Sequence, residues 1–195
     1  GDGQFMPELR IPVAANPHAL SIADLNADSI PDLVVTLGLD QLAVLFGDGT
    51  GDFGAATLYQ LSCLPNTAPA IGDVNGDGHI DIVAASQCGG VDILEGNSSG
   101  AFTPAYVATP GGTGSVALAR IDGNSSLDIL VVQSNSIAIL LADGIGGFLP
   151  LILLAFPGNS LSVAAADLND DGLMDIIASG TVGGMSSNGR VAIYL

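Results

Sequence analysis

The chain has 195 residues and a formal net charge of −17 at pH 7, because 20 Asp and Glu residues outnumber three Arg residues. Nucleic acids and anionic membrane surfaces attract clustered positive charge, so this composition excludes both as natural partners. Hydrophobic residues make up 48% of the chain and charged residues 12%, which favours a packed core over a disordered chain. The most apolar stretch, residues 148–156, is too short to insert across a membrane.

An acidic motif of nine residues recurs four times, with its first residues at 24, 73, 120 and 167. The resulting period of 47–49 residues is typical of a solenoid or a propeller. Three copies, at 24–32, 73–81 and 167–175, read D-x-N-x-D-x-x-x-D. The remaining copy, at 120–128, has Arg120 in the first position and keeps oxygen-bearing side chains at positions three, five and nine.

The elements around each motif also repeat. A strand of small apolar residues precedes the motif, a β-branched strand and a third apolar strand follow it, and a Gly-rich turn that ends in Phe leads into a fourth strand. In chain order, the predicted strands and turns are 19–23, 33–36, 42–46 and 47–53; 69–72, 82–85, 91–94 and 96–102; 115–119, 129–132, 137–141 and 143–148; and 162–166, 176–179 and 191–195. No stretch has helical periodicity. We therefore predict an all-β fold, a β-propeller built from four-stranded antiparallel blades, with four repeats in this chain.

The two ends of the chain fit each other. Residues 1–7 resemble the turn and the start of the fourth strand in other repeats, and residues 191–195 form a third strand. We expect residues 1–195 to form a single propeller, or a propeller segment, in which residues 1–15 complete the blade that ends at Leu195. Completion within one chain predicts a four-bladed monomer, and completion between chains predicts a head-to-tail polymer. A third possibility is that the four repeats belong to a larger propeller.

The Phe46-Gly47 turn with its following glycines, joined to the acidic motif, resembles the FG-GAP/VCBS repeat of integrin α-subunit β-propellers and many secreted proteins. The resemblance covers essentially the whole chain in four copies. It implies a β-propeller whose acidic loops, between the first and second strands of each blade, bind Ca²⁺.

The intact motifs suit calcium chemically. Ca²⁺ takes about six to eight oxygen ligands, which a tight loop can supply from alternate residues. We assign the side chains at positions one, three, five and nine, and the backbone carbonyl at position seven. The predicted ligands are Asp24, Asn26, Asp28, Ile30 and Asp32; Asp73, Asn75, Asp77, His79 and Asp81; and Asp167, Asn169, Asp171, Leu173 and Asp175. The alternative is that these residues form only Asx turns.

The third loop differs at its first position. Arg120 replaces a carboxylate there, and its guanidinium can reach Asp122 and Asp128 as an internal counter-ion. We therefore predict three calcium sites and an empty third loop. The alternative is that Arg120 points to solvent and leaves a weak site.

Two cysteines and two sequons bear on the location of the protein. The predicted strand order places Cys63 and Cys88 on the rim opposite the calcium loops, where they can form a disulfide; the alternative is two free thiols. A disulfide and weak calcium sites both indicate an extracellular or cell-surface protein. Asn97 and Asn124 match the N-glycosylation pattern, and Asn97 lies in the more exposed predicted turn.

The sequence shows no catalytic constellation. His18 and His79 are isolated, no nucleophile motif accompanies them, and the repeat accounts for most of the Asp residues. We predict a non-enzymatic, calcium-stabilised adhesion or ligand-binding module that meets a protein or glycan on the rim opposite the calcium loops. One alternative is a structural subunit of a secreted fibre in which copies of the chain assemble head-to-tail by strand complementation. Another is a carbohydrate-binding lectin.

Overall fold

The computed structural model describes residues 7–14, 16–65, 67–111, 113–156, 158–182 and 188–195. All regular elements in these ranges are β-strands, and no helix able to cross a membrane is found there. The strands are β1 Pro17–Ala23, β2 Asp32–Leu37, β3 Gln41–Leu45, β4 Thr57–Gln60, β5 Ala70–Gly72, β6 Asp81–Ala85, β7 Val91–Gly96, β8 Phe102–Val107, β9 Thr113–Ala119, β10 Asp128–Gln133, β11 Ser136–Leu140, β12 Ile152–Ala155, β13 Asn159–Ala166, β14 Asp175–Val182 and β15 Asn188–Tyr194.

The strands form one antiparallel sheet per repeat, which confirms the predicted all-β propeller fold. Sheet 1 has the order β1-β2-β3-β4, sheet 2 β5-β6-β7-β8, sheet 3 β9-β10-β11-β12 and sheet 4 β13-β14-β15. Sheet 4 thus has three strands among the described residues. Residues 1–6 and 15, which belong to the segment predicted to complete this sheet, lie outside the described residues.

The second strand of each of the first three sheets is apolar on both faces because neighbouring sheets or segments cover both. In β10, for example, Ile129, Leu130, Val131 and Val132 are all buried. A strand buried on both sides reads as a continuous apolar run rather than an alternating one. The β-branched runs of the sequence therefore mark the centre of each blade.

The core consists of apolar layers between consecutive sheets. We call the face of a sheet that is turned toward the next sheet in chain order its trailing face, and the opposite face its leading face. Val34 and Val44 on the trailing face of sheet 1 belong to the same cluster as Ile82 and Leu94 of sheet 2. Equivalent layers join sheet 2 to sheet 3 and sheet 3 to sheet 4.

The leading face of sheet 1 has a different cover. Ile11, Val13 and Ala14 pack against a buried cluster that includes Val35 and Leu45. The N-terminal segment 11–14 therefore lies on sheet 1.

Candidate calcium loops

The four acidic motifs occupy equivalent places in the fold. Residues 24–31, 73–80, 120–127 and 167–174 join the first and second strands of sheets 1 to 4, and we call these segments loops 1 to 4. Because all four sheets have the same strand order, the loops lie at the same rim. The predicted position of the motifs is confirmed.

Loop 1 is closed by hydrogen bonds from its own backbone. The Asp24 carboxylate accepts the N–H groups of Asp28 at 3.1 Å and Ser29 at 2.8 Å. The Asn26 side-chain oxygen accepts the Asp28 N–H at 3.0 Å, and Asp28 Oδ1 accepts the Ile30 N–H at 2.7 Å. These are Asx-type turns, in which short polar side chains satisfy backbone donors that no strand can satisfy.

Loops 2 and 4 repeat this arrangement. Asp73 accepts the N–H of Gly78 at 2.9 Å, and Asp167 accepts the N–H of Gly172 at 2.8 Å. In each intact loop the Asn amide at position three donates to the Asp at position five. These pairs are Asn26–Asp28 at 2.9 Å, Asn75–Asp77 at 3.2 Å and Asn169–Asp171 at 3.1 Å.

The three intact loops have left-handed backbone at positions four and six. Loop 2 has glycine at both, with φ of 78° at Gly76 and 84° at Gly78. Loop 1 has Ala27 and Ser29 there, with φ of 62° and 67°. Left-handed backbone costs an L residue about 1 kcal/mol or more, so the Asx hydrogen bonds of loop 1 hold it against a strain that loop 2 avoids.

The Asp at position nine is a buried clamp in every repeat. Asp81 accepts the N–H of Val74 at the start of loop 2 and the N–H of Gly96 at the end of β7, both at 2.9 Å. Asp32 makes the same two contacts, to Leu25 and Gly47, at 2.8 Å. These predicted ligands therefore tie each loop to the neighbouring turn.

The third repeat keeps the clamp. Asp128 accepts the N–H of Ile121 at 2.7 Å and of Ala142 at 2.8 Å. In repeat 4, Asp175 accepts the N–H of Leu168 at 2.9 Å. The sequence motif by itself predicts only a metal-ligand role for position nine. The sequence signal for the clamp is the nearly constant separation of 15, 15 and 14 residues between this Asp and the turn after the third strand.

The environment of the loop carboxyls alters their acidity. Burial raises the pKa of Asp81, against the lowering effect of its two amide hydrogen bonds, and the charges of Asp77 and Asp73 raise it further. The amide of Gly172 is the main cause that lowers the pKa of Asp167. The ionised carboxylates of loop 2 therefore repel one another, and a cation in this loop would relieve the repulsion.

The position-seven residues, whose carbonyls are predicted ligands, differ in exposure. Ile30 and His79 are half-buried, and Leu173 is exposed. His79 lines a hollow between loops 1 and 2 together with Asn26 and Asn97.

The donor set of the intact loops fits calcium in its chemistry. Positions one, three and five carry only hard oxygen donors, and a carboxylate can accept about four contacts, so the Asx bonds leave lone pairs free. Within the described ranges, no three His, Cys, Asp or Glu side chains are close enough together to hold a metal ion. The Asx turns of the alternative interpretation are present in all three loops, and calcium binding stays a prediction.

In loop 3 the side chain at position one donates a hydrogen bond to the backbone, whereas in the intact loops it accepts one. Arg120 Nε donates to the carbonyl of Ser125 at 2.9 Å, and Ser125 holds position six, whose N–H binds the first carboxylate in the intact loops. Arg120 does not form the expected ion pairs with Asp122 and Asp128. Within the described part of the chain, the ion pair that is found joins a different arginine, Arg10, to Glu8. Asp122 instead accepts hydrogen bonds from the backbone and side-chain amides of Asn124. The Asp128 carboxylate accepts the two backbone N–H groups described above.

The sequence profile of the FG-GAP-like repeat matches this chain at residues 24–84, 73–131 and 120–178. The chain belongs to the FG-GAP-like repeat family. Each match starts at the first residue of one acidic motif and runs past the end of the next, so the family unit coincides with the loop-to-loop period of the structure. No curated protein matches the chain closely enough to count as a relative.

Solved structures share the fold. They include BBS1N in complex with ARL6DN, with 16% identity, a TM-score of 0.62, and 95% of this chain and 54% of that one covered. A lectin of Agrocybe aegerita that recognises non-reducing terminal N-acetylglucosamine has 20% identity, a TM-score of 0.58 and coverages of 90% and 52%. The V. cholerae biofilm matrix protein Bap1 has 22% identity, a TM-score of 0.50 and coverages of 86% and 28%. This FG-GAP-like chain spans about half the length of the first two.

The predicted disulfide of this FG-GAP-like chain is confirmed. Cys63, after β4, is bonded to Cys88, after β6, with the Cα atoms 5.9 Å apart. Among the described residues, neither cysteine is free, so the alternative of two thiols is wrong. The bond links sheet 1 to sheet 2 at the rim opposite the calcium loops.

The repeat pattern does not predict the buried Asp that lies beside the disulfide. Asp92 in β7 accepts the N–H and the hydroxyl of Ser62, both at 2.9 Å. Burial raises the pKa of Asp92, and these two hydrogen bonds offset part of the rise. The sequence signal is an Asp that lies between the apolar residues Val91 and Ile93 of a predicted strand.

The two sequons differ in the state of the nitrogen that a glycan would modify. Asn124 Nδ2 donates to Asp122 at 2.9 Å and to the carbonyl of Ala142 at 3.1 Å. Asn97 is exposed and uses its side-chain oxygen to accept hydrogen bonds from Ser99. Asn97 is therefore the better acceptor of the two, and glycosylation of either stays a prediction.

Proposed function

We propose that this chain is an extracellular calcium-binding β-propeller that acts as an adhesion or ligand-binding module, without catalytic activity. The observation that carries the proposal is the equivalence of loops 1, 2 and 4. Each presents two Asp and one Asn at positions one, three and five, on a backbone closed by the same hydrogen bonds, beside a buried Asp clamp. Membership of the FG-GAP-like family supports it.

Calcium has a structural role in this proposal. In loop 2, Asp73, Asn75 and Asp77 would hold the ion, with Asp81 at the base. Calcium supplies positive charge among carboxylates that otherwise repel one another. The Asp81 clamp joins the loop to Gly96 at the end of β7, so the order of the loop is transmitted to the third strand of sheet 2. An ion that binds the folded chain and not the unfolded chain stabilises the fold by mass action.

The extracellular location in this proposal follows from the conditions that a disulfide and weak calcium sites need. A disulfide persists in oxidising compartments, and calcium sites of moderate affinity are filled at extracellular calcium concentrations. The Cys63–Cys88 bond and the three acidic loops meet both requirements in one molecule. The chain is therefore assigned to the extracellular space or the cell surface.

The ligand is assigned to the rim opposite the calcium loops, which the disulfide stiffens. Structures of this fold include a protein complex and a glycan-binding lectin, which supports a protein or a glycan as the ligand class. A glycan array separates the two: strong binding to one glycan class supports a lectin, and uniform absence of binding supports a protein ligand.

Thermal unfolding tests the calcium claim. The chain is unfolded in about 2 mM CaCl₂, in equal MgCl₂ and in EDTA, followed by far-UV circular dichroism. Calcium is expected to raise the melting temperature well above the value in EDTA, and magnesium to raise it less, because Mg²⁺ sheds its water reluctantly. The same melting temperature in all three solutions would contradict the proposal.

A further inference from the structure

Asp92 lies where the other sheets carry alanine. It pairs with Ala84 of β6 and is 5% exposed. The residues at the same place in the third strands of sheets 1, 3 and 4 are Ala43, Ala138 and Ala192. Ala43 and Ala138 are fully buried, so the packing between sheets does not require a carboxylate here. A buried carboxylate is unfavourable unless hydrogen bonds satisfy it, which indicates a role that is specific to sheet 2.

The carboxylate of Asp92 holds the residue that precedes Cys63. Ala84 belongs to the apolar layer between sheets 1 and 2. Asp92 is directly opposite Ala84 and therefore lies on the same leading face of sheet 2. Ser62 donates its N–H to Asp92 Oδ1 and its hydroxyl to Asp92 Oδ2, both at 2.9 Å. Because Ser62 is exposed, these hydrogen bonds rather than side-chain packing fix its position.

Cys88 is held in a turn of its own. The N–H of Ser86 donates to the carbonyl of Gly90 at 3.1 Å, and the N–H of Gly89 donates to the carbonyl of Ser86 at 3.0 Å. The hydroxyl of Tyr106 in β8 donates to the carbonyl of Gly89. These contacts lie within sheet 2, so we expect the turn to keep its shape when the disulfide is reduced.

Hydrogen bonds to sheet 2 flank Cys63 on both sides. Ser62, just before it, binds Asp92, and the carbonyl of Leu64, just after it, accepts the N–H of Gln87 at 3.3 Å. The bonds to Asp92 are shorter and involve a charged group, so they are the stronger contact. The segment that carries Cys63 is thus joined to sheet 2 by contacts that do not depend on its sulfur atom.

We propose that Asp92 is a positioning residue for disulfide formation, which holds Cys63 beside Cys88 in the reduced, folded chain. Two groups that are held together have a raised effective concentration, which favours the bond between them. The oxidant is a small disulfide such as oxidised glutathione. The thiolate of Cys88, which is exposed, attacks one sulfur of the oxidant and releases one glutathione. The thiolate of Cys63 then attacks the Cys88 sulfur and releases the second. Two electrons pass from the cysteines to the oxidant, and the two thiol protons end on the released glutathiones.

Equilibration with glutathione redox buffers in calcium tests the proposal, because the ratio of oxidised to reduced chain gives the effective concentration of the two thiols. In the oxidised chain the disulfide holds the segment with or without Asp92, whereas in the reduced chain Asp92 holds it. Asp92→Ala should therefore lower the effective concentration at least about tenfold. Asp92→Asn should restore most of it, because the amide can accept the N–H of Ser62 and donate to its hydroxyl oxygen. An effective concentration in Asp92→Ala within about twofold of the wild-type value would overturn the proposal.

Ser21→Ala is the matched control. Ser21 Oγ in β1 donates to the carbonyl of Pro69 at 2.7 Å, which also joins sheet 1 to the chain that enters sheet 2. Loss of this hydrogen bond should leave the effective concentration of the thiols unchanged. A decrease as large as that in Asp92→Ala would overturn the proposal, because the effect would then come from a general loosening of the two sheets.

Hydrogen exchange measured by NMR gives a second test in a chain that cannot form the bond, Cys63→Ala/Cys88→Ala. There the N–H of Ser62 should exchange at least about tenfold more slowly than in the same chain with Asp92→Ala added. Equal rates would show that Asp92 does not hold the segment without the disulfide, and would overturn the proposal. If Asp92→Ala fails to fold by circular dichroism, Ser62→Ala removes the hydroxyl contact alone and should lower the effective concentration of the thiols about threefold; no decrease there would likewise overturn it.

Discussion

Loops 2 and 3 hold the same place in successive repeats and close in opposite ways. In loop 2 a carboxylate, Asp73, accepts the N–H of the position-six residue, Gly78. In loop 3 a guanidinium, that of Arg120, donates to the carbonyl of the position-six residue, Ser125. The backbone is closed in both cases, so closure does not need a carboxylate at position one.

What the two loops share is the clamp. Asp81 and Asp128 are fully buried, and each binds one amide of its loop and one of the following turn. The comparison separates two roles within one motif. Position nine holds the loop to the sheet in every repeat, while we propose that position one decides whether the loop has the charge to bind calcium.

Removal of the clamp has the largest expected effect. Asp128→Ala and Asp81→Ala each leave two backbone N–H groups without their acceptor, and should lower the free energy of unfolding by about 2–5 kcal/mol. Urea unfolding in EDTA measures both. Because loop 3 is predicted to bind no calcium, the Asp128→Ala loss should be the same in calcium. A loss below about 0.5 kcal/mol would show that the clamp is dispensable.

Removal of the carboxylate at position one should abolish calcium binding in that loop without unfolding the chain. Asp73→Ala is expected to lower the calcium count from three to two and to reduce stability in EDTA by only about 1 kcal/mol, as for loss of a side-chain cap. Isothermal titration calorimetry gives the count. Asp122→Ala, which removes a carboxylate from loop 3, is the matched control and should leave three ions. An unchanged count in Asp73→Ala would remove loop 2 from the calcium sites.

Restoration of the carboxylate in loop 3 tests the same distinction in reverse. Arg120→Asp should raise the calcium count from three to four, because positions three, five and nine already carry oxygen donors. The same titration measures the gain. If the variant folds and still binds three ions, position one does not decide calcium binding.

Backbone strain provides a smaller test of loop closure. Ala27→Gly relieves a left-handed residue in loop 1 and should stabilise the chain by about 1 kcal/mol. Gly76→Ala places the strain in loop 2 and should destabilise it by a similar amount. Thermal unfolding of the two variants, compared in EDTA, should give shifts of opposite sign; shifts of one sign would mean that the turn geometry is not shared.

The smallest effect is on pH dependence. The pKa of Asp81 in the folded chain lies above its ordinary value of 3.8, mainly through burial. Its protonated form is therefore favoured by folding, and its contribution to stability is full below pH 3.8 and is lost as pH rises through the folded pKa. Asp81→Asn should flatten this part of the pH profile in EDTA, measured by urea unfolding. A mutant profile parallel to the wild type would contradict the assignment.

Much of the fold was predictable because the residues of each repeat mark the boundaries between its strands and loops. Asp, Asn and Gly at alternate positions predict a loop, and an apolar run on each side predicts the strands that it joins. The spacing of 47–49 residues then predicts one sheet per copy. The predicted strand order placed Cys63 and Cys88 on one rim and so allowed the disulfide, and the structure decided against two free thiols.

Other features depend on contacts that the sequence does not reveal. The partner of Arg120 depends on the path of its side chain over loop 3, which leads to the carbonyl of Ser125, five residues away, and not to Asp122, two residues away. The contacts of Asp92 are also hidden, because the equivalent residues of sheets 1 and 3 are the buried alanines Ala43 and Ala138. Sequence patterns predict what a residue is suited to contact, whereas the structure shows whether that contact is made.

The count of calcium ions bound per chain tests the central claim most directly. Isothermal titration of the calcium-free wild-type chain is predicted to give three ions, and the triple variant Asp24→Ala, Asp73→Ala and Asp167→Ala to give none. No heat of binding in the wild-type chain, or an equal count in the triple variant, would contradict the account.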